Sequence, residues 1–258
     1  MSAVLSATIV SRPIRALGDF FAMALDTLVQ AFHPPFAWRE FLLQTWFVAR
    51  VSLVPTLVLS VPFTVLAVFL FNILLGEFGA ADFSGTGAAL SAVLQIGPIV
   101  TVLVVAGAGA TAMCADLGAR TIREELDALR VMGIDPIQAL VVPRVCAATL
   151  VALLLSPLVV LVGLAGGFVF SVFFQHVTPG AFVAGLTLLT GMGDVIVCFV
   201  KATLFGLSAG LIACYMGISV TGGPAGVGKA VNETVVFSFM ALFVINIAVT
   251  AIGFRVGL

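Results

Sequence analysis

Long apolar segments alternate with short polar connections along this chain. Five of the segments are long enough to cross the roughly 30 Å hydrocarbon core of a bilayer, for which about 20 helical residues suffice. These segments are residues 47–75, 88–115, 145–174, 194–216 and 235–254. Pro55 and Pro62 predict a kink or irregularity in the first. We therefore predict an all-α integral membrane protein in which residues 1–258 form a single domain with five transmembrane helices.

The segment before the first span has a different pattern, in which apolar residues recur every three or four positions and polar residues occupy the other side. The apolar positions are Ile14, Leu17, Phe21, Leu25, Leu28 and Phe32. We predict an amphipathic helix over residues 14–33 that lies at the membrane interface, because the bilayer surface is the nearest partner for its apolar side. A second short apolar segment, 181–191, is predicted to lie at or above the membrane surface.

The composition excludes a water-soluble protein. Hydrophobic residues make up 62% of the chain and charged residues 9%, whereas about 25% of the residues in a soluble domain are charged. The net charge is −1 and no basic tail is present, which argues against a nucleic-acid partner. The four cysteines keep no metal-site spacing with His33 or His176, so we predict neither a metal site nor a catalytic site.

The distribution of lysine and arginine predicts the orientation of the spans. Basic residues precede the first span and fill the connection between the second and third spans, whereas the connections on the other side contain none up to Asp194. By the positive-inside rule the N-terminus is cytoplasmic. Five spans then place the C-terminus outside, with Arg255 as a tolerated exception.

The connection between the second and third spans carries the densest group of charges in the chain. Its apolar residues recur at helical spacing and Gly133 provides a stop, so we predict one amphipathic helix over residues 117–133. Its charged residues are Arg120, Arg123, Glu124, Glu125, Asp127 and Arg130. The alternative is a solvated turn held by Arg120–Glu124 and Arg123–Asp127 pairs. Because a turn needs only a few residues, docking on a soluble partner is favoured.

Two further features are candidates for chemistry. Residues 223–230 have the spacing of a phosphate-binding loop, but Ala230 replaces the required hydroxyl, so we predict a flexible glycine-rich loop. Lys201 lies inside the fourth span, seven residues after Asp194, and both project from one side of the helix. Either they form an intramembrane functional pair, directly or through water, or Lys201 extends to the lipid headgroups.

Several motifs together resemble the signature of MlaE/YrbE permeases. They are Gln95-Ile-Gly-Pro98, Val104-Val-Ala-Gly107, Ala115-Asp-Leu-Gly118, Glu124-Glu-Leu-Asp-Ala-Leu129, Val131-Met-Gly-Ile-Asp-Pro136 and Lys201-Ala-Thr-Leu-Phe-Gly206. The resemblance runs from residue 14 to residue 254. The segments 114–125 and 231–236 are most similar to the A-type YrbE subunit of actinobacterial Mce systems.

This resemblance implies a transmembrane permease subunit of an ABC-type lipid transporter in the bacterial plasma (inner) membrane, and not an enzyme. It implies that the charged connection is a coupling helix, whose residues Arg120 to Arg130 bind a cytoplasmic ABC ATPase. ATP and Mg would be used by that ATPase, and this chain would bind no cofactor itself. The other implied partners are a B-type YrbE subunit, which completes a heterodimer, and Mce proteins on the outer side.

Two positions depart from the family pattern. Many members have Glu where this chain has Gln95 and Arg where it has Ala108, so a charged pair along the candidate substrate path is absent. We therefore expect a hydrophobic lipid such as a fatty acid or sterol, with import as the expected direction. The alternatives are a non-transporting membrane scaffold and a self-contained channel or ion-coupled carrier. The last is disfavoured because the sequence shows no chain of intramembrane carboxylates.

Overall fold

The computed structural model describes residues 2–77, 84–186 and 191–256, and within these ranges the chain forms helices and no strand. Five segments are long and apolar enough to cross a membrane, and we call them spans one to five. They are Trp38–Leu75, Gly85–Ile122, Ile137–Phe173, Met192–Ile218 and Gly223–Gly253. The predicted all-α fold with five spans is confirmed. Residues 187–190 of the predicted short segment 181–191 lie outside the described residues.

Ten α-helices and three π-helical segments make up the described ranges. The α-helices are α1 (Ser2–Gln30), α2 (Trp38–Glu77), α3 (Ser84–Ser91), α4 (Gly97–Val104), α5 (Thr111–Ile122), α6 (Glu125–Val131), α7 (Val142–Phe173), α8 (Pro179–Leu186), α9 (Met192–Ile218) and α10 (Gly223–Val256). The π-helical segments are π1 (Ala92–Ile96), π2 (Val105–Ala110) and π3 (Ile137–Val141). Span two is therefore one continuous helix with two π-helical insertions.

The spans extend beyond the apolar segments that predicted them. Span one starts at Trp38 and not at residue 47, and span five starts at Gly223 and not at residue 235. An apolar segment marks only the part of a helix that meets hydrocarbon, whereas backbone hydrogen bonding continues until a turn ends it. Span one is also a single helix through Pro55 and Pro62, so the irregularity predicted from these prolines does not interrupt it.

The segment predicted as a flexible glycine-rich loop, 223–230, is helical. α10 begins at Gly223, directly after a turn in which Gly222 and Gly223 have positive φ angles of 85° and 74°. Alanine and valine alternate with the glycines here, and a helix satisfies backbone groups that an open loop would leave to water. The loop prediction was therefore wrong. Lys229 lies on this helix and pairs with Glu233 at 3.6 Å.

α1 lies at the end of the bundle that carries the connection between spans two and three, here called the loop end. It begins earlier than the predicted 14–33 because the alanine- and leucine-containing start of the chain sustains a helix. Two hydrogen bonds hold it there, from Tyr215 Oη to the Ala16 carbonyl oxygen at 2.9 Å and from Gln30 Nε2 to Asp135 Oδ2 at 2.8 Å. The predicted apolar stripe faces away from the bundle, with Phe21 61% exposed.

Small residues bring neighbouring spans into close contact, as the small-xxx-small pairs of the sequence suggest. Gly163 and Gly167 of α7 face Thr64 and Val68 of α2, and a Cβ atom on Gly163 would overlap the Thr64 side chain. Only 11% of the residues in the most apolar part of span five are buried, against 61% in span two. Span two is thus the interior helix of the bundle, and span five lies on its surface.

A second close contact joins α9 to α7. A Cβ atom on Gly206 would lie 2.7 Å from the Cβ of Ala152 and 2.9 Å from the carbonyl oxygen of Ala148. Atoms cannot approach this closely without displacement of the backbone, because the interior is already close-packed. The separation of spans three and four therefore depends on the absence of a side chain at position 206.

We predict that Gly206→Ala lowers the free energy of unfolding by about 1–3 kcal/mol, because an overpacked helix contact forces the backbone to move. Gly228→Ala is the matched control, since Gly228 is also helical and its added Cβ would meet nothing within 4 Å. The control should be neutral or slightly stabilising, because alanine favours a helix more than glycine does. Unfolding of the purified wild type and of both variants in mixed micelles measures these free energies. A Gly206→Ala variant as stable as wild type would contradict the close contact.

Candidate functional site

The charged connection between spans two and three is not the single helix predicted over residues 117–133. Residues up to Ile122 continue span two, and a separate short helix, α6, follows after Arg123 and Glu124. Glu124 has a φ of 59°, a left-handed conformation that interrupts the helical hydrogen-bond ladder. The predicted stop at Gly133 is confirmed, since its φ is 77°. We call residues 123–134 the docking loop.

Most charges of the docking loop and of the helix before it pair within the chain. The ion pairs are Arg120–Asp116 at 3.4 Å, Arg123–Glu125 at 2.7 Å and Arg130–Asp127 at 2.8 Å. The predicted Arg120–Glu124 and Arg123–Asp127 pairs do not form, because the break at Glu124 removes the helical spacing that they need. Glu124 is exposed and has no ion-pair partner among the described residues.

Apolar side chains form the tip of the docking loop. Val131 is 88% exposed and Met132 is 64% exposed, directly before the turn at Gly133. Ile134 follows that turn and is also exposed. A cluster of exposed apolar residues beside charged ones is typical of a protein interaction surface. The sequence pattern directed attention to the charges and missed this apolar tip.

A buried arginine lies beneath the docking loop. Arg144, near the start of α7, has no exposed surface. Its Nη2 atom lies 2.6 Å from Asp116 Oδ2 and 3.2 Å from Glu40 Oε1, and its Nη1 atom donates to the carbonyl oxygen of Leu140 at 3.0 Å. We call Arg144, Glu40 and Asp116 the arginine cluster. In the sequence, Arg144 is one of the basic residues that predict the orientation of the spans.

Each member of the arginine cluster has further support. Gln44, itself buried, donates from Nε2 to Glu40 Oε1 at 3.0 Å, and Arg120 approaches Asp116 at 3.4 Å. Two carboxylates and two guanidinium groups therefore balance in charge at this point. A buried ion that lost its partners would be strongly unfavourable, because desolvation would no longer be compensated. The cluster thus fixes the relative position of α2, α5 and α7 at the loop end.

An apolar cavity of about 420 Å³ lies at the opposite end of the bundle, here called the cavity end. Spans one, two, four and five line it. The lining residues are Ala67, Phe71, Leu90, Ser91, Leu94, Gln95, Ile96, Asp194, Val197, Lys201, Thr250 and Gly253. Three of the residues singled out from sequence, Gln95, Asp194 and Lys201, therefore share one cavity.

Lys201 is buried in the wall of this cavity. Its side chain is 1% exposed, and Nζ donates to the carbonyl oxygen of Leu94 at 2.8 Å. No direct Asp194–Lys201 ion pair forms among the described residues, and Asp194 Oδ2 accepts from the Gly191 N–H at 2.9 Å. The lysine is therefore a buried cation held by a backbone oxygen from span two.

The two candidate substrate-path residues both lie in π-helical segments, Gln95 in π1 and Ala108 in π2. Gln95 faces the cavity, and its Oε1 accepts from Asn246 Nδ2 of span five at 3.3 Å. Ala108 does not line the cavity and lies roughly 20 Å further along the helix, given 1.5 Å per residue. The structure therefore supports a cavity role for Gln95 and separates Ala108 from it.

Five apolar spans, four of which line an apolar cavity, with an exposed charged loop at the other end, define a multi-pass membrane protein. A family model described as Permease MlaE matches residues 41–252. A probable ABC transporter permease protein of Synechocystis sp. is 35% identical over 178 residues, covering 69% of this chain and 68% of that protein. The chain belongs to the MlaE permease family, and it is a permease of the ABC-transporter type.

Two other relatives agree with this placement. The intermembrane phospholipid transport system permease protein MlaE of Haemophilus influenzae is 29% identical over 186 residues, covering 72% of this chain and 71% of that protein. A probable ABC transporter permease protein of Rickettsia bellii is 28% identical over 247 residues and 95% of each chain. The resemblance to MlaE/YrbE permeases is thus confirmed, and the narrower A-type assignment stays a prediction.

The two lysines of the chain provide a test of the burial of Lys201. Lys201 is 1% exposed, whereas the side chain of Lys229 is 78% exposed. We predict that a water-soluble amine-reactive reagent modifies Lys229 and leaves Lys201 unmodified over the same time. Peptide mass spectrometry of the membrane-embedded protein measures both sites. Equal modification would contradict burial and support a lysine that extends to the headgroups.

Proposed function

We propose that this chain is the permease subunit of an Mce-associated ABC lipid transporter that imports a hydrophobic lipid, such as a fatty acid or sterol, across the inner membrane. The observation that carries this proposal is that an exposed docking loop and an apolar cavity lie at opposite ends of the same helices. The docking loop binds a cytoplasmic ATPase, which uses ATP and Mg. The cavity holds the lipid.

The apolar tip of the docking loop is the anchor for the ATPase. Val131 and Met132 have large exposed side chains that a partner groove would remove from water, and such residues contribute most of the affinity of an interface. Charges that already pair within the loop contribute less, since they have partners before binding. Glu124 is the exception, and it is free to pair with a cation of the ATPase, which favours one orientation.

The cavity suits a lipid with a small polar head. Its wall is apolar apart from a few groups. Ser91, Gln95 and Thr250 are neutral, Lys201 is cationic, and the Asp194 carboxylate accepts from the Gly191 N–H. A lysine ammonium has three donors, and one is used on Leu94. The remaining donors suit a carboxylate or a hydroxyl, the heads of a fatty acid and a sterol. The name of the Haemophilus relative specifies phospholipid, so a phosphate head is the competing possibility.

The outer surfaces of the bundle support the remaining parts of the proposal. Span five is mostly uncovered, and an exposed apolar helix in a bilayer can pack against a second subunit, here a B-type permease. Mce proteins would continue the lipid path beyond the cavity end, on the outer side. The proposal puts the exposed stripe of α1 in the interfacial layer of the cytoplasmic leaflet, with the N-terminus inside and the C-terminus outside.

We predict that Val131→Asp and the double variant Glu124→Lys/Asp127→Lys each weaken binding of the ATPase by about tenfold or more, because both alter the centre of the docking surface. Copurification of the ATPase from membranes and ATP hydrolysis by the purified complex measure the effect. Glu77→Lys is the matched control, since it reverses an exposed carboxylate at the last residue of α2, at the end of the bundle away from the docking loop. Wild-type binding by both docking-loop variants would contradict the proposal.

Lipid dependence separates the transporter from a non-transporting scaffold. We predict that ATP hydrolysis by the wild-type complex rises on addition of a fatty acid or a sterol, and that Lys201→Met removes the response to the fatty acid, because the carboxylate loses its cationic partner. Phosphatidylethanolamine tests the competing phospholipid. A complex that binds the ATPase but responds to none of the three lipids would favour the scaffold.

A further inference from the structure

The arginine cluster joins two of the four spans that line the cavity, spans one and two, although it lies at the other end of the bundle. Glu40 is in the first turn of α2, and α2 also supplies Ala67 and Phe71 to the cavity. Asp116 is in α5, the last part of span two, whose first part supplies Gln95 and its neighbours. Arg144 belongs to span three, which does not line the cavity. It therefore connects two cavity helices from outside.

Spans one and two each run from the arginine cluster to the cavity, so a displacement at one end of the helix can move residues at the other end. Glu40 and Ala67 are separated by roughly 40 Å along one helix at 1.5 Å per residue. Pro55 and Pro62 lie between them and remove backbone hydrogen bonds at those points, which gives the helix places to bend. In span two, π2 lies between Asp116 and the cavity, and π1 forms part of the cavity wall. A displacement at the arginine cluster can therefore move the cavity wall without unfolding either span.

The docking loop leads directly into this cluster. Asp116 precedes the loop and Arg144 follows it, so their 2.6 Å contact closes the base of the loop. The Arg144 Nη1 bond to Leu140 holds π3, the segment through which the chain returns from the loop. The contact to Glu40, at 3.2 Å, is the one ionic link from this base to span one among the described residues. Any movement of the loop relative to span one must strain or break it.

We propose that Arg144 is a positioning residue that transmits movement of the docking loop to span one through Glu40, and thereby changes the shape of the lipid cavity. The proposal rests on the proposed function, because it requires an ATPase to move the loop. The planar guanidinium suits this role, since Nη2 contacts the carboxylates of Glu40 and Asp116 while Nη1 donates to the Leu140 carbonyl oxygen. A lysine ammonium has one nitrogen and cannot reproduce this planar arrangement of two nitrogens.

The test follows the cavity wall directly and needs no knowledge of the lipid. Ala67→Cys places a thiol at the cavity, and its rate of reaction with a membrane-permeant maleimide is measured in the ATPase complex with and without ATP and vanadate. The same chain without Ala67→Cys gives the background from its four native cysteines, none of which is in a disulfide. We expect the rate in the otherwise wild-type complex to change with nucleotide.

Glu40→Gln removes the ionic link to span one and leaves the Arg144–Asp116 pair intact. We expect this variant to bind the ATPase normally but to reduce the nucleotide-dependent change in rate by about tenfold, the size of a typical coupling between sites. Arg144→Lys keeps the charge and should reduce the change as well. Glu77→Gln, on the same helix, is the control and should behave as wild type.

Three outcomes separate the possibilities. If Glu40→Gln and Arg144→Lys respond to nucleotide as wild type does, the positioning role is wrong. If Glu40→Gln lowers yield or thermal stability while the folded fraction keeps its response, the cluster is merely structural and the proposal fails. If the wild-type complex itself binds no ATPase or shows no response, the proposed function fails, which is a different result from either of these.

Discussion

A charge buried among apolar spans must be neutralised or solvated by the protein itself, because the hydrocarbon core of a bilayer provides no solvation. Among the residues whose burial the structure describes, two cations are deeply buried, and they are held differently. Arg144 is held by two carboxylates from other helices, whereas Lys201 is held by one backbone oxygen. The first arrangement ties three helices together. The second leaves donors free at a cavity, which is the arrangement expected of a group that meets a ligand.

Arg144 lies at the loop end and Lys201 at the cavity end, and the two ends differ in the groups they expose. The loop end has paired charges, an apolar tip and a rigid ionic base beneath it. The cavity end has an apolar wall with few polar groups. Glycine contacts such as Gly206 against Ala148 hold the interior spans closely packed. Prolines in span one and π-helical segments in span two occur in the helices that run between the ends. The combination fits a permease in which a soluble partner acts at a distance from the lipid.

Features that depend on one segment of chain could be predicted from the sequence. Apolar length predicted five spans, and three- to four-residue spacing predicted the exposed stripe of α1. Features that depend on contacts between distant segments could not. Nothing near Arg144 in sequence identifies Glu40 or Asp116 as its partners, and Leu94, which holds Lys201, lies on another span. The break at Glu124 was also missed, because glutamate ordinarily favours a helix.

The site was therefore predicted in part. Gln95, Asp194 and Lys201 line one cavity, but Ala108 does not. Gln95 and Ala108 were selected because they depart from the family pattern, and that criterion does not consider where each residue lies along the helix. The π-helical segments, which set the direction in which Gln95 points, have no sequence signal that distinguishes them from ordinary helix. The arginine cluster and the apolar tip needed the structure.

The central claim is that the cavity holds a lipid, and mass spectrometry of lipids extracted from the purified complex tests it most directly. The wild-type complex should retain a fatty acid or sterol in a fixed proportion to protein. Ala67→Trp, which fills the cavity from span one, should lose that lipid while still binding the ATPase. Recovery of the same lipid in the same amount from both proteins would contradict the account.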